Sequence, residues 1–484
     1  VDETREELLG VVYDGMFHTV HEPVRTVLLD RIFDPRPDLT ERQACRLAFG
    51  NNAVALETEA VHDSATGDFV LNTPSPRARK FMPNATPLDG LPKIGVVLAR
   101  LKMSGVDHGV FPFVVRLSDH EGPLRGVHVT ALPGKPGLVL DNAITSFDHV
   151  RVPRRNVLNA HVSGRAYGRR ARFLRFVDAL ATGRIGLTAS VLACARASLY
   201  IAIRYSHQRL TFAPGQADVP IITYRSQQRA LFQGLAGVYA MTCLLNGVKR
   251  RFARDQENGD RVDLSDLIAV AKAVASWTAT EVIHVCRERC GAQGMFSANR
   301  IADYVAVAQG VVAAEGDNLV ILSTAAANLL GRPPNGREPV ESPAPAGRDL
   351  RDPEFLTHLL DCRVDVACRR HGRELGRRIA HGDSRFRADI GMAAGSGARQ
   401  ALGLLATLYG LGEGAKRSGW LLAEGALTAT QVTRLPELFD EVCAELAPHA
   451  CLLADGFGIT NDVLRSAIAD DYLGYYNVPT AEVT

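Results

Sequence analysis

In Ala313-Ala-Glu-Gly-Asp-Asn-Leu-Val320 a carboxylate, Glu315, stands directly before a glycine, Gly316, and the residues from Leu319 to Leu330 are mostly apolar. The pattern predicts a turn that opens an apolar helix, capped by Asp317 and Asn318. Gly316 would let the backbone turn closely against a ligand. A carboxylate at the head of a helix is also favoured by the helix dipole, so a first-turn acid without chemistry is the plain alternative. Upstream, Cys290-Gly-Ala-Gln-Gly294 forms a second glycine loop, of the kind that brings backbone close to a phosphate or ribose.

Residues 170–330 read as helical. Leu187 to Tyr205 is small or apolar nearly all round, the signature of a fully buried helix. The stretches 220–257, 262–289 and 316–330 add three more helices, and four in succession suggest a bundle. Before them, Leu56–Val61, Phe69–Asn72, Ile94–Leu98, Val110–Val115 and Gly126–Thr130 alternate or run apolar, which predicts short strands in a compact antiparallel barrel or sandwich. The expected organisation is an N-terminal helical remnant (1–48), a middle β-domain (49–165), a four-helix bundle carrying Glu315 (166–334), a linker (335–348) and a second helical domain (349–484). Breaks are expected in that last domain at Gly410-Leu-Gly-Glu-Gly414 and Asp455-Gly-Phe-Gly458. The fold class is thus a mostly α, multidomain α+β protein with a β-barrel-like middle domain.

The 484 residues suffice for roughly two to four domains. The formal charge is +2, and no basic tract is interleaved with aromatics, so no nucleic-acid partner is expected. The arginine clusters at 165–175 and 369–378 read as solvated helix faces, although the first could also attract a phosphate-bearing ligand such as coenzyme A. Nine scattered cysteines, among them Cys194, Cys243, Cys286 and Cys451 in apolar stretches, suit reduced thiols in the cytoplasm. His284, Cys286 and Cys290 lack paired ligand spacing, so no metal is expected. No signal peptide is expected, because no N-terminal run combines basic residues with an apolar core, and no membrane span, because no window reaches ~18 uninterrupted apolar residues. The final Ala-Glu-Val-Thr484 is not a peroxisomal tripeptide.

From around residue 50 onward several stretches resemble, in order, the acyl-CoA oxidase and dehydrogenase flavoproteins. Asp68-Phe-Val-Leu-Asn-Thr-Pro74 resembles the strand leading to the flavin-facing loop. Ser146-Phe-Asp-His-Val-Arg-Val-Pro153 with Asn156-Val-Leu158 resembles the strand that closes the β-domain. Arg184-Ile-Gly186, Tyr205-Ser-His-Gln-Arg-Leu-Thr-Phe212 and Tyr224-Arg-Ser-Gln-Gln228 follow, then the 290–294 loop and Glu315. Leu408–Leu411, Gly419–Leu422, Glu445–His449 and Asp455–Ile459 resemble the second helical domain of the oxidase branch.

The resemblance implies FAD as cofactor and an acyl-CoA or acyl-carrier thioester as substrate. Glu315 would remove the proton alpha to the thioester while the flavin accepts hydride, giving the trans-2-enoyl thioester. Oxygen would reoxidise the flavin and yield hydrogen peroxide. A carboxylate suits that task when a desolvated site raises its pKa. Arg209 would pair with the cofactor pyrophosphate, for which a guanidinium fork is well shaped, and Phe212 would pack nearby. Met82 and Asn84 of Lys80-Phe-Met-Pro-Asn84 would flank the isoalloxazine where the family has tryptophan and glycine. Gln293 and Gly294 would reach the flavin of a neighbouring subunit, which implies a homodimer or a heteromer with a homologous subunit. Gln228 reads as a packing or capping residue.

The sequence also departs from the family pattern. Thr211 stands where glutamine is usual, and Ala314 where an aromatic residue precedes the glutamate. Residues 10–48 resemble only the outermost helices of the family's N-terminal domain. A gapless match puts Cys45, Arg46 and Phe49 at the threonine, glutamate and histidine of its flavin-holding segment. Three explanations stand open: a segment outside the given sequence, a pocket wall supplied by a partner, or a specialised relative with another substrate. The alternatives to an oxidase are a flavin-free scaffold subunit, or a dehydrogenase passing electrons to an electron-transfer flavoprotein.

Overall fold

The computed structural model describes residues 45–48, 56–87, 91–135, 140–158, 181–212, 218–258, 262–330, 348–352, 354–359 and 396–470, with Arg5, Leu8, Val11, Val12 and Gly215. The chain divides into two compact units, Phe33–Leu180 and Val1–Ile32 with Ala181–Thr484. Phe49, both arginine clusters, the expected 335–348 linker up to residue 347 and most of the expected N-terminal helical remnant lie outside the described residues.

Among the described residues the first unit holds nine strands: β1 (Cys45–Ala48), β2 (Glu59–His62), β3 (Phe69–Asn72), β4 (Lys80–Pro83), β5 (Lys93–Met103), β6 (Val106–Ser118), β7 (Val127–Ala131), β8 (Asn142–Phe147) and β9 (Val150–Val152). A sheet of order β1-β5-β2-β3-β9, with β6 also on β5, accompanies a three-stranded sheet β4-β8-β7. Both contribute to one core of Phe69, Leu71, Val97, Phe111, Phe113, Phe147 and neighbours. The expected all-antiparallel arrangement is corrected on one point. β1 and β2 both pair with β5 in parallel, and β5 is long enough to seat the two in succession, β1 at Ile94–Val97 and β2 at Arg100–Lys102. Cys45–Ala48, assigned above to the N-terminal helices, is therefore a strand of this sheet.

The second unit contains α1 (Ala181–Gln208), α2 (Arg225–Asn258), α3 (Val262–Arg289), α4 (Ile301–Ala313), α5 (Asn318–Leu330), α6 (Ser396–Lys416), α7 (Ser418–Ala423), α8 (Ala429–Leu446) and α9 (Ala450–Asp455). α1 packs on α2 and α3, while α3 also carries α4 and α5. α1 is buried nearly all round, as its composition predicts. α4 was not among the four expected helices, and α2 begins at Arg225 because Val219–Pro220 pairs as a short strand with Leu210–Thr211.

One continuous core joins the bundle to the helices after residue 396, and to Leu8, Val11 and Val12. The buried Tyr239 of α2 illustrates the junction. Its hydroxyl donates to the Leu453 carbonyl (2.8 Å) and its ring lies 5.0 Å from that of Phe457. Arg204 of α1 grips both oxygens of Asp455 (2.7 and 2.8 Å). The expected break at Gly410–Gly414 does not occur, since α6 runs through it. A Cβ at Gly410 would lie 2.7 Å from Leu356 Cδ1 and 2.9 Å from its Cβ, so this glycine serves close packing. The break after Asp455 is present, with Gly458 at φ +65°.

Among the described residues three helical stretches are apolar and long enough to cross a membrane by composition: Ala181–Gln208, Arg225–Arg254 and Ile301–Asn328. The first two are mostly buried inside the protein. The third is interrupted at Glu315 and Gly316, and its 13-residue halves each span about 20 Å, short of the ~30 Å hydrocarbon layer.

Candidate active site

Glu315 lies between α4 and α5, outside either helix. Its φ is +56°, a left-handed conformation that costs a non-glycine residue roughly 1–2 kcal/mol. Gly316 follows at φ +106°, where a Cβ would meet Ile321 Cγ2 at 2.7 Å. Backbone strain of this kind persists only where neighbours hold it, and it tends to mark functional positions. Here the holders are two cations. Arg184 Nε donates to the Glu315 carbonyl (2.9 Å). Lys272 Nζ donates to the carbonyls of Val312 (3.0 Å) and Gly316 (2.9 Å) and to Asn318 Oδ1 (2.8 Å).

The Glu315 carboxylate faces Gly183 of α1, where an added Cβ would lie 2.8 Å from Oε1. Burial raises the Glu315 pKa above its ordinary 4.5, against the opposing charges of Arg184 and Lys272. Burial likewise draws Lys272 down to about 8, with Arg184 acting the same way and Asp317 and Glu315 opposing. The helix cap divides otherwise than expected. Asp317 Oδ1 accepts from the amides of Leu319 (2.9 Å) and Val320 (3.3 Å). Asn318 is fully buried, and its Nδ2 donates to Ser276 Oγ (2.9 Å), so it joins the turn to α3 rather than capping α5.

The 290–294 loop is a short 3-10 turn in which Gly294 is buried. Asn299 Nδ2 donates to the Gln293 carbonyl (2.9 Å) and to Oε1 (3.2 Å). Gln227 ties the last residue of α3, just before this loop, to the end of α1, donating to Ser206 Oγ (2.9 Å) and to the Arg289 carbonyl (3.1 Å). Gln228 instead accepts from Arg225 (2.6 Å) at the head of α2. Arg209 is exposed, its guanidinium donating to the adjacent Leu210 carbonyl (3.0 Å). Phe212 is 71% exposed and anchored through its carbonyl by the Tyr224 hydroxyl (2.7 Å).

Met82 and Asn84 belong to the β unit. Met82 is buried opposite Ala143, whereas Phe81 is exposed. Asn84 sits at φ +60°; its amide donates to the Asp141 carbonyl (2.8 Å) and its own carbonyl accepts from Lys93 Nζ (3.0 Å). His284 is exposed while Cys286 and Cys290 are buried, and among the described residues no group of three or more His, Cys, Asp or Glu could hold a metal.

Arg184, Lys272 and Gly183 were not singled out as site residues from sequence. Lys272 left a signal, as the lone charge in the apolar run Leu267–Ser276. Such a residue requires buried acceptors.

A family model described as "Acyl-CoA oxidase, C-alpha1 domain" matches residues 178–330, and one described as "Acyl-CoA oxidase" matches residues 384–471. The chain is similar to the acyl-CoA oxidase family over both of these helical regions. Among curated acyl-CoA oxidases it is 26% identical to the Arabidopsis thaliana putative acyl-coenzyme A oxidase 3.2, peroxisomal, over 88% of this chain and 71% of that protein. It is 30% identical to human peroxisomal acyl-coenzyme A oxidase 3 over 59% of this chain and 44% of that one. The tomato acyl-CoA oxidase LeACX1 superposes with TM-score 0.74 at 25% identity, covering 89% of this chain and 76% of that one. Caenorhabditis elegans acyl-CoA oxidase-1, crystallised with FAD and ATP, gives 0.71 at 22%, covering 87% and 72%. The acyl-CoA oxidase fold accounts for the order of β unit, bundle and further helices.

Proposed function

We propose that this protein, similar to the acyl-CoA oxidases, oxidises an acyl-CoA thioester to its trans-2-enoyl form with FAD, Glu315 removing the α-proton. The observation that carries this is the half-buried Glu315 carboxylate on a strained turn, with a raised pKa and two cations beside it. A base so placed is poised nearer neutrality than a solvated carboxylate. Bound FAD would supply the hydride acceptor, with O2 as the final oxidant and hydrogen peroxide as product. Arg209 suits the pyrophosphate, because its guanidinium is exposed and donates to the neighbouring Leu210 carbonyl, leaving the fork open to solvent. Phe212 stands open beside it. The loop of Gln293 and Gly294 ends in exposed Met295 and Phe296, which fits contact with a second subunit and supports a dimer. Gly316, Met82 and Asn84 complete the proposed cofactor-facing set. A cytoplasmic location is proposed from the six cysteines whose side chains are described, all free; the peroxisomal relatives make the organelle the alternative, and cell fractionation decides between them.

The test is the visible spectrum of the purified protein before and after anaerobic addition of a medium-chain acyl-CoA. A flavin band that bleaches is expected, with peroxide released under air. A colourless protein that takes up no added FAD rejects the proposal in favour of a scaffold subunit. Bleaching without peroxide indicates a dehydrogenase.

A further inference from the structure

α4 ends at Ala313, so the Val312 carbonyl loses the helical amide that would have met it. Lys272, fully buried on α3, meets that carbonyl, the Gly316 carbonyl and Asn318 Oδ1 with its ammonium, one acceptor for each proton. Its three acceptors bracket Glu315 on both sides. Asn318 is held in turn by Ser276 (2.9 Å) and the Ala273 carbonyl (3.4 Å), so a single turn of α3 grips the whole 312–318 segment. Arg184 completes the arrangement from α1.

We propose that Lys272 is a positioning residue for Glu315, its buried ammonium holding the left-handed turn that aims the carboxylate. This deepens the proposed function, on which it rests. A packing lysine would be satisfied by any acceptors, whereas these acceptors belong to the helix end, the strained turn and the next helix start. The ammonium is spent on two carbonyls and the Asn318 amide oxygen around the base, so its removal should act on rate rather than on affinity. Besides Glu315, the charged groups acting on it are Arg184 and Asp317.

The test compares wild type with Lys272→Met and Lys272→Gln, loaded with FAD. Measured are the anaerobic rate of flavin reduction by acyl-CoA, the Kd for a non-reducing 3-thia-acyl-CoA, and the crystal structures. Expected for Lys272→Met is a reduction rate lowered about 100-fold, the scale of an ångström-sized misplacement. The Kd should stay within about threefold and Lys272→Gln should fall between, since an amide replaces part of the hydrogen bonding. In the crystal, Glu315 should leave the left-handed region. An unchanged turn, or a rate near wild type with flavin retained, overturns the proposal. A wild type that acyl-CoA does not bleach instead counts against the proposed function, and the crystal comparison still decides the role of Lys272. Should Lys272→Met fail to fold, Asn318→Ala, which removes one acceptor, carries the same expectations at smaller amplitude.

Discussion

The Glu315 carboxylate rests against the hydrogen face of Gly183, in the first turn of α1, so that a methyl group there would stand 2.8 Å from Oε1 and 2.9 Å from Cδ. Glycine near the start of this otherwise well-packed helix therefore makes room for the candidate base. In Gly183→Ala the flexible carboxylate end must move, which costs little stability, while alanine favours helix by up to about 1 kcal/mol. The expected result is an unchanged or slightly raised Tm together with flavin reduction slowed by as much as about 100-fold. Thermal melting and stopped-flow reduction on the same preparation check both halves.

Glu315→Gln keeps shape and most contacts but cannot accept the proton. Flavin content should be retained and reduction by acyl-CoA should fall by about 10²- to 10⁴-fold, the usual worth of a general base. A mutant reducing its flavin at the normal rate would remove Glu315 from the mechanism.

The pH dependence follows from burial. Glu315 must be deprotonated to act, and its pKa is raised above 4.5, so the reduction rate should increase with pH through an apparent pKa above that value. The sign for stability is opposite. The folded state holds this proton more tightly than the unfolded chain, so the contribution of Glu315 to stability declines as pH rises from 4.5 through its folded pKa. Arg184→Gln removes a charge that lowers this pKa, and should shift the rate profile to higher pH.

Gly410 tests the reading of glycine as a packing residue. Gly410→Ala gains helix propensity of about 1 kcal/mol but drives a methyl group into Leu356, an overpacking cost of about 1–3 kcal/mol. The Leu356 Cβ cannot swing aside as a side-chain tip can. A lowered urea midpoint with flavin content unchanged is expected; a raised midpoint would show that α6 and Leu356 separate freely.

Much of the fold was legible because local pattern suffices for it. Leu187–Tyr205 is apolar on every face, which only a buried helix accommodates, and α1 covers it. Two glycine-rich segments separated in outcome for a physical reason. Asp455–Gly458 ends a helix with Gly458 at positive φ, whereas Gly410–Gly414 continues one because Leu356 and Gln233 fill the space a side chain would need. Strand direction was less legible. Alternation in Ile94–Leu98 marks a strand, yet the parallel partners Cys45–Ala48 and Glu59–His62 depend on residues far along the chain.

The amino-acid sequence alone determined the helices and strands at large, the likeness to acyl-CoA oxidases, and Glu315 as the carboxylate to examine, because periodicity and motif order are local properties. Only the tertiary structure decided what surrounds that carboxylate. Its strained turn is held by Arg184, 131 positions away, and by Lys272, which reaches the Gly316 carbonyl across 44 positions. Burial, which sets the pKa, arises only when α1 and α3 close around the turn, and no pattern within residues 313–320 specifies that.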